Sequence, residues 1–183
     1  MEYREMTIDE AERIGEINAT YFIRNMWRKS KETEEYVLKE INWTGKELPN
    51  GFGWHLKRFK EALEKGGAAF GCFEEGKLLG YTTLWGEIFG KKERYVLLDQ
   101  LFVSKERRNQ GIGKVLFKMC AARAAAMGAK KLYLCSASSE DTIAFYRNLG
   151  CAAASEINQK LYEEDPNDIQ LEFVLDGDER NAY

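Results

Sequence analysis

The chain has 183 residues, of which 44% are hydrophobic and 31% are charged, a balance typical of one soluble globular domain. Its formal net charge of −3 and sequence pI near 5.5 give no general attraction to nucleic acid or to an anionic membrane. No apolar run approaches the length of a membrane span, and the amino terminus lacks the apolar core of a signal peptide, so we expect a cytoplasmic protein.

The predicted elements of the first third are mainly helical. In chain order they are a strand over 3–8, helices over 7–29 and 30–41, a loop over 42–53 and a helix over 54–67. The first helix is supported by Thr7 and Glu10, which have the spacing of a capping box. The last of these helices is amphipathic and is closed by Gly66 and Gly67.

From residue 68 onward, strand and helix patterns alternate. The predicted elements are strands over 68–74 and 78–85, a connecting turn over 86–94, a strand over 95–103, a helix over 113–129, a strand over 131–137, a helix over 139–150, an edge strand over 151–156 and a closing strand over 169–175. This order predicts one α/β domain over 1–183 with a mixed, mostly antiparallel central sheet flanked by helices. The sheet core covers about 68–176, and a loose acidic tail over 177–183 follows it.

Cysteine and histidine content argues against a metal site. The four cysteines, Cys72, Cys120, Cys135 and Cys151, lie far apart in apolar stretches and lack metal-ligand spacing. We expect them to be reduced and to serve as small buried hydrophobic residues. The one histidine, His55, lies in the amphipathic helix pattern, so a hydrolase built on a Cys-His or Ser-His pair is disfavoured.

A glycine-rich loop, RNQGIG over residues 108–113, joins the strand over 95–103 to the following helix. Its spacing fits neither a Walker loop nor the dinucleotide fingerprint, which requires a small residue where Leu116 stands. Glycine allows close backbone approach, and the free N–H groups of a first helical turn suit a pyrophosphate. Four nearby cations strengthen that interpretation: Lys105, Arg107, Arg108 and Lys114. The alternative is a solvated basic turn.

The loop resembles the acetyl-coenzyme A loop, Arg/Gln-x-x-Gly-x-Gly/Ala, of the GNAT family of N-acetyltransferases. Three further stretches resemble that family in the same order, namely LDQLFV (98–103), KLYLCSA (131–137) and SSEDTIAFYRNLGC (138–151). The resemblance implies a GNAT-like fold and acetyl-CoA as co-substrate. It also implies that the strand over 131–137 splays away from its neighbour to admit the pantetheine arm. The sequence departs from the family at Ser139, where asparagine is common, and at Cys151, where phenylalanine is common.

The same resemblance implies which residues bind the co-substrate. The candidates are Leu101, Phe102, Val103, Arg108, Asn109, Gln110, Gly111, Ile112, Gly113, Lys114, Ser139 and Tyr146. Tyr146 also occupies the position of the family's catalytic tyrosine, since a phenol can protonate a thiolate leaving group. The alternative is a tyrosine that packs on the core with its hydroxyl at the rim.

Asp99 interrupts the apolar run YVLLDQLFV, and strand alternation places it on one face with Leu97, Leu101 and Val103. A carboxylate in a central strand is costly unless it is paired or functional. One interpretation is an ion pair with a nearby base such as Arg94. The other is a catalytic carboxylate that holds the acceptor's ammonium and draws off its proton, which an amine with a pKa near ~10.4 must lose before it attacks.

The front third of the chain, about 7–67, is predicted to form the acceptor-binding site, because the corresponding part lines that site in similar enzymes. Trp27, Trp43 and Trp54 are the candidate substrate-binding residues, and nearby glutamates favour a cationic acceptor. We expect acetyl transfer to a primary amine of a small molecule, such as a polyamine, amino acid or aminoglycoside, by direct attack in a ternary complex. A protein amine and a non-catalytic acyl-CoA-binding module are the alternatives. No metal, nucleic acid or membrane partner is expected, and a homodimer through the last strand stays open.

Overall fold

The computed structural model describes residues 1–175, so the predicted tail over 177–183 lies outside the described residues. The strands are β1 (Glu2–Glu5), β2 (Tyr21–Lys29), β3 (Tyr36–Gly45), β4 (Ala68–Glu74), β5 (Lys77–Phe89), β6 (Tyr95–Val103), β7 (Lys131–Ser136), β8 (Ala152–Ala153) and β9 (Ile169–Val174). The α-helices are α1 (Phe52–Glu64), α2 (Ile112–Ala126), α3 (Glu140–Asn148) and α4 (Gln159–Glu164). Two 3₁₀ helices cover Ile8–Glu16 and Lys105–Arg107.

Seven strands form the main sheet in the order β1-β4-β5-β6-β7-β9-β8, and β2 pairs with β3 in a separate hairpin. All neighbours in the main sheet are antiparallel except β6 and β7, which are parallel. This arrangement confirms the predicted α/β fold with a mixed, mostly antiparallel sheet. Among residues 1–175, no helix is long and apolar enough to cross a membrane.

Helices cover both faces of the sheet. On one face α2 packs against β4 to β7, and its buried Leu116, Phe117 and Cys120 join the largest apolar cluster. On the other face the first 3₁₀ helix and α1 bury Ile14 and Phe59 in a second cluster. The cysteines are free, and only Cys135 among them is partly exposed, which agrees with the predicted apolar role.

The two helices predicted over 7–29 and 30–41 are wrong beyond Glu16. The capping box of Thr7 and Glu10 is present, but it begins a 3₁₀ helix that ends before β2. Residues 21–45 form the hairpin of β2 and β3 instead. Their sequences, YFIRNMWRK and YVLKEINWTG, contain many aromatic and β-branched residues, which favour strands, and this preference outweighed the helical spacing of the apolar residues.

Three smaller predictions also need correction. The connecting turn predicted over 86–94 is shorter, because β5 continues to Phe89, which pairs with Tyr95. The edge strand predicted over 151–156 is reduced to Ala152–Ala153. Helix α4 was not predicted, since it has only six residues and begins at a local cap in which Asn158 accepts a hydrogen bond from the Leu161 N–H at 3.2 Å.

Candidate active site

Strands β6 and β7 separate after a short parallel ladder. Only Tyr95–Leu97 pair with Lys131–Tyr133, and no further pairing joins the two strands within the described residues. Beyond these pairs β6 stays bonded to β5 on its other side. The backbone N–H and C=O groups of β6 that face β7 are therefore left available for an extended ligand. We call this opening the wedge; it lies where the sequence prediction expected the strands to splay.

The glycine loop lies at the end of β6. Asn109 and Gly111 have φ angles of 62° and 84°, in the left-handed region that suits asparagine and glycine. Gly111 is the N-cap of α2, so the free N–H groups of a 15-residue helix begin at this loop. A Cβ on Gly113 would lie 3.2 Å from the Phe145 ring and 3.8 Å from Val103 Cγ2. The loop is thus packed closely between β6 and α3.

The arginine of the loop points back into the protein. Arg108 donates from Nε to the Val103 carbonyl at 3.0 Å and from Nη1 to the Thr20 carbonyl at 2.9 Å. Burial lowers the pKa of its guanidinium. Arg107 forms an ion pair with Glu74, while Lys114 is exposed beside the first turn of α2. Arg108 therefore links the glycine loop to the segment before β2 through hydrogen bonds.

Helix α3 carries the predicted tyrosine. Ser139 caps this helix, because its hydroxyl donates to Thr142 Oγ1 at 2.7 Å and accepts from the Thr142 N–H at 3.4 Å. Tyr146 is 8% exposed, and its ring centroid lies 6.2 Å from that of Phe117. Burial, with smaller effects from nearby thiols, raises the pKa of Tyr146, so its phenol stays protonated at neutral pH. This is the state that a proton donor requires.

Asp99 is the extra residue of a β-bulge, because its neighbours Leu98 and Gln100 pair with consecutive residues of β5. The bulge shifts the alternation of β6 at this point. Leu97 packs in the cluster with Tyr95 and Tyr133, whereas Leu101 and Val103 pack against the cluster under α2. The prediction that Asp99 shares one face with Leu97, Leu101 and Val103 is therefore wrong, since Leu97 lies on the opposite face from the other two.

The Asp99 carboxylate forms a buried ion pair with Arg58 of α1. Arg58 Nε lies 3.1 Å from Oδ1 and 2.9 Å from Oδ2, and the two side chains are only 15% and 6% exposed. The guanidinium also lies 4.9 Å from the Trp54 ring and 5.2 Å from the Trp85 ring. A third contact joins Arg58 Nη1 to Glu164 at 3.3 Å.

An ion pair for Asp99 was one of the two interpretations of the sequence, but its suggested partner was wrong. Arg94 instead donates from Nε to the Gly128 carbonyl at 3.1 Å. Arg58, Trp85 and Glu164 were not among the predicted site residues. Their only signal in the sequence was the unpaired charge of Asp99 within an apolar strand.

The hairpin of β2 and β3 reaches the open end of the wedge through β2. The Trp27 N–H donates to the Ser138 carbonyl at 2.8 Å, and Met26 forms an isolated antiparallel bridge with Ser139. Arg28 Nη1 adds a 2.6 Å hydrogen bond to Ser138 Oγ. These contacts attach the hairpin to the segment between β7 and α3.

The three predicted substrate-binding tryptophans have different surroundings. Trp27 packs against the core under α2, and Arg147 lies 5.8 Å from its ring. Trp43 is exposed on the hairpin, with its ring edge-on to Tyr21. Only Trp54, which is 40% exposed, borders the Asp99 ion pair.

The parallel strands β6 and β7 open in front of a glycine loop and a helix N-terminus, within a fold that matches those of acetyltransferases. The profile of the Acetyltransferase (GNAT) family matches residues 25–151, and the chain belongs to this family of acetyltransferases. A search among curated proteins found no match.

Solved structures share this fold at low sequence identity. A nourseothricin acetyltransferase has a TM-score of 0.70 and 16% identity, over 95% of this chain and 98% of that one. The PaiA N-acetyltransferase of Thermoplasma acidophilum, in complex with coenzyme A, has a TM-score of 0.59 and 16% identity over 94% and 98%. An aminoglycoside 6'-N-acetyltransferase complexed with coenzyme A has a TM-score of 0.53 and 16% identity over 66% and 79%.

Proposed function

We propose that this protein transfers the acetyl group of acetyl-CoA to a primary amine of a small molecule, by direct attack in a ternary complex. The observation that carries the proposal is the wedge between β6 and β7, which ends at the glycine loop and the N-terminus of α2. Membership of the GNAT family and the coenzyme A held by two similar structures support the same co-substrate.

The residues at the wedge fit the parts of acetyl-CoA. Those backbone groups of Leu101–Val103 that do not bond to β5 or to Arg108 suit the amide-bearing pantetheine arm, and the loop from Asn109 to Lys114 suits the pyrophosphate. Ser139 caps α3 and Tyr146 lies on it, and we expect this helix to border the other side of the opening. The side chains of Arg108 and Ser139 already bond to the protein, so we expect both residues to contribute through the structure of the segments that they hold.

Two proton movements accompany the reaction: the acceptor's ammonium loses a proton and the leaving thiolate gains one. Tyr146 is protonated at neutral pH and is proposed to donate its proton to the leaving thiolate as the C–S bond breaks. Asp99 is a candidate for holding the acceptor's ammonium. Its oxygens accept hydrogen bonds from Arg58, however, and this pairing disfavours Asp99 as the direct base.

A cationic small molecule is the acceptor class that we favour. Burial and then the carboxylates of Asp168, Asp99 and Glu164 raise the pKa of the Cys135 thiol, whereas Arg58 opposes them, so negative charge predominates around this residue of β7. Two of the similar structures are named for nourseothricin and for an aminoglycoside. A protein amine is the second candidate, since the hairpin exposes large apolar side chains, among them Phe22, Tyr36 and Trp43, which suit contact with a protein partner.

Thiol release from acetyl-CoA tests this function. Purified protein is incubated with nourseothricin, kanamycin, spermidine and a lysine-containing peptide, and free thiol is measured over time. We expect release with at least one of the three small amines and a faster rate than with the peptide. Release with the peptide alone would identify a protein acceptor. Coenzyme A binding in calorimetry without release with any amine would identify a non-catalytic binding module.

A further inference from the structure

Asp168 is a half-buried carboxylate that the proposed chemistry has not yet used. It directly precedes β9, and its N–H donates to the Asp165 carbonyl at 3.1 Å. Within residues 1–175 we find no hydrogen-bond donor and no basic partner in contact with its carboxylate. A partly buried carboxylate without a protein partner is free to bind a cationic group of a ligand.

Strand β7, the segment that follows it and strand β2 meet near Asp168. The next residue, Ile169, pairs with Ser136, the last residue of β7, so Asp168 lies beside the segment that leads into α3. Strand β2 bonds to the same segment through Trp27 and Arg28, both of which contact Ser138. Asp168 therefore lies at the end of β7, on the side of that strand away from β6, next to the segment that holds the hairpin and leads into the helix of the predicted proton donor.

Titratable groups on four elements influence Asp168. Asp165 lies on its own segment, Arg28 on β2, Cys135 on β7 and Tyr146 on α3. Burial and the neighbouring Asp165 raise the pKa of Asp168 to about 6, while Arg28 opposes the rise. A carboxylate with this pKa is mostly ionised at neutral pH and yet binds a proton about 100-fold more tightly than an ordinary aspartate.

We propose that Asp168 is the catalytic residue that binds the acceptor's ammonium and takes its proton before the amine attacks. This inference rests on the proposed function. The nitrogen then forms the C–N bond as the C–S bond breaks, and Tyr146 gives its proton to the thiolate. The nitrogen loses two protons overall, one of which restores Tyr146 while the other leaves to solvent through Asp168. Asp99 differs from Asp168 because Arg58 already occupies its oxygens.

The test compares Asp168→Asn with Asp165→Asn, a matched change of an exposed carboxylate three residues away. Values of kcat/KM are measured from pH 5 to 9 with whichever of nourseothricin, kanamycin and spermidine the wild type acetylates. We expect the wild-type value to fall below about pH 6 as Asp168 becomes protonated. Asp168→Asn should lower kcat/KM at pH 7.5 by about 100-fold or more and remove this pH limb. Asp165→Asn should keep most of the activity. Its kcat/KM should still fall at low pH, but at a slightly lower pH than in the wild type, because Asp165 no longer raises the pKa of Asp168.

Two further measurements make the outcome decisive. Coenzyme A affinity should be unchanged in Asp168→Asn, which shows that the variant is folded with an intact wedge. An Asp168→Asn protein that retains both wild-type activity and the pH limb overturns the inference. A wild type that acetylates no amine overturns the proposed function instead, and spermidine calorimetry then decides the binding role of Asp168. Weaker binding by Asp168→Asn supports that role, and equal binding overturns it.

Discussion

The ion pair between Arg58 and Asp99 makes a quantitative prediction about Asp99→Asn. The substitution keeps the size of the side chain but leaves the Arg58 charge between two tryptophan rings with Glu164 as its remaining anion. Removing one partner of a buried pair costs about 3–5 kcal/mol. Asparagine still accepts one hydrogen bond and Glu164 still neutralises part of the charge, so we expect about 3 kcal/mol. For a chain of this length, that loss lowers Tm by about 6–12 °C.

Thermal and urea unfolding followed by circular dichroism measure this cost. Arg58→Met serves as the control, because it removes the charge and retains an apolar stem of similar length. A double variant completes a thermodynamic cycle, and we expect it to be less destabilised than the sum of the two single changes. An Asp99→Asn protein with the wild-type Tm would refute the reasoning that the pair stabilises the fold.

The same variant separates the two interpretations of Asp99. If the carboxylate only balances Arg58, the folded fraction of Asp99→Asn should keep its kcat/KM at low temperature. If the carboxylate holds the ammonium and receives its proton, kcat/KM should fall strongly and recover in part at higher pH. Both quantities come from one protein preparation, so a loss of folded protein is not mistaken for a loss of chemistry.

Three further predictions test the proton donor, the co-substrate loop and the sheet. Tyr146→Phe should lower kcat by about 100-fold with little change in coenzyme A affinity, and an unchanged kcat would assign Tyr146 to packing alone. Gly113→Glu should abolish coenzyme A binding in calorimetry, because even a Cβ there contacts Phe145; wild-type affinity in a folded variant would contradict the loop assignment. Burial raises the pKa of Glu172, but hydrogen bonds led by Lys131 lower it to about 2. Glu172→Gln should therefore cost about 3 kcal/mol at pH 7, and the difference from wild type should shrink as pH falls from 4 towards 2; a pH-independent difference would argue against it.

The strands and helices from β6 to α3 were predictable because their signals are local. The left-handed Gly111, the helix that follows it and the cap at Ser139 are each encoded within a few neighbouring residues. The apolar run of β6 likewise identified a central strand. Such features are set by backbone geometry and burial pattern, and they need no knowledge of distant partners.

The hairpin and the surroundings of Asp99 depend on contacts between distant residues, and for that reason the helices and the ion-pair partner predicted there are wrong. The hairpin is attached through bonds from Trp27 to Ser138, more than a hundred positions away in the chain. Arg58 and Asp99 are separated by 41 residues and meet only because a bulge redirects one carboxylate. Asp168 belongs to no sequence motif, and its partial burial near Arg28 arises only when segments that are remote in the chain come together.

The short parallel ladder between β6 and β7 also has a mechanical consequence. Three residue pairs, Tyr95–Leu97 with Lys131–Tyr133, join the four strands on one side of the sheet to the three on the other. Helix α2 crosses the ladder between β6 and β7 and packs against strands on both sides, so it holds the two parts of the sheet together. Partial unfolding should therefore begin with separation of β6 from β7. Amide hydrogens of β7 and β9 should then exchange together, and faster than those of β4 and β5. A molecule that fills the wedge binds the closed form alone, so the substrate itself would hold the two halves together.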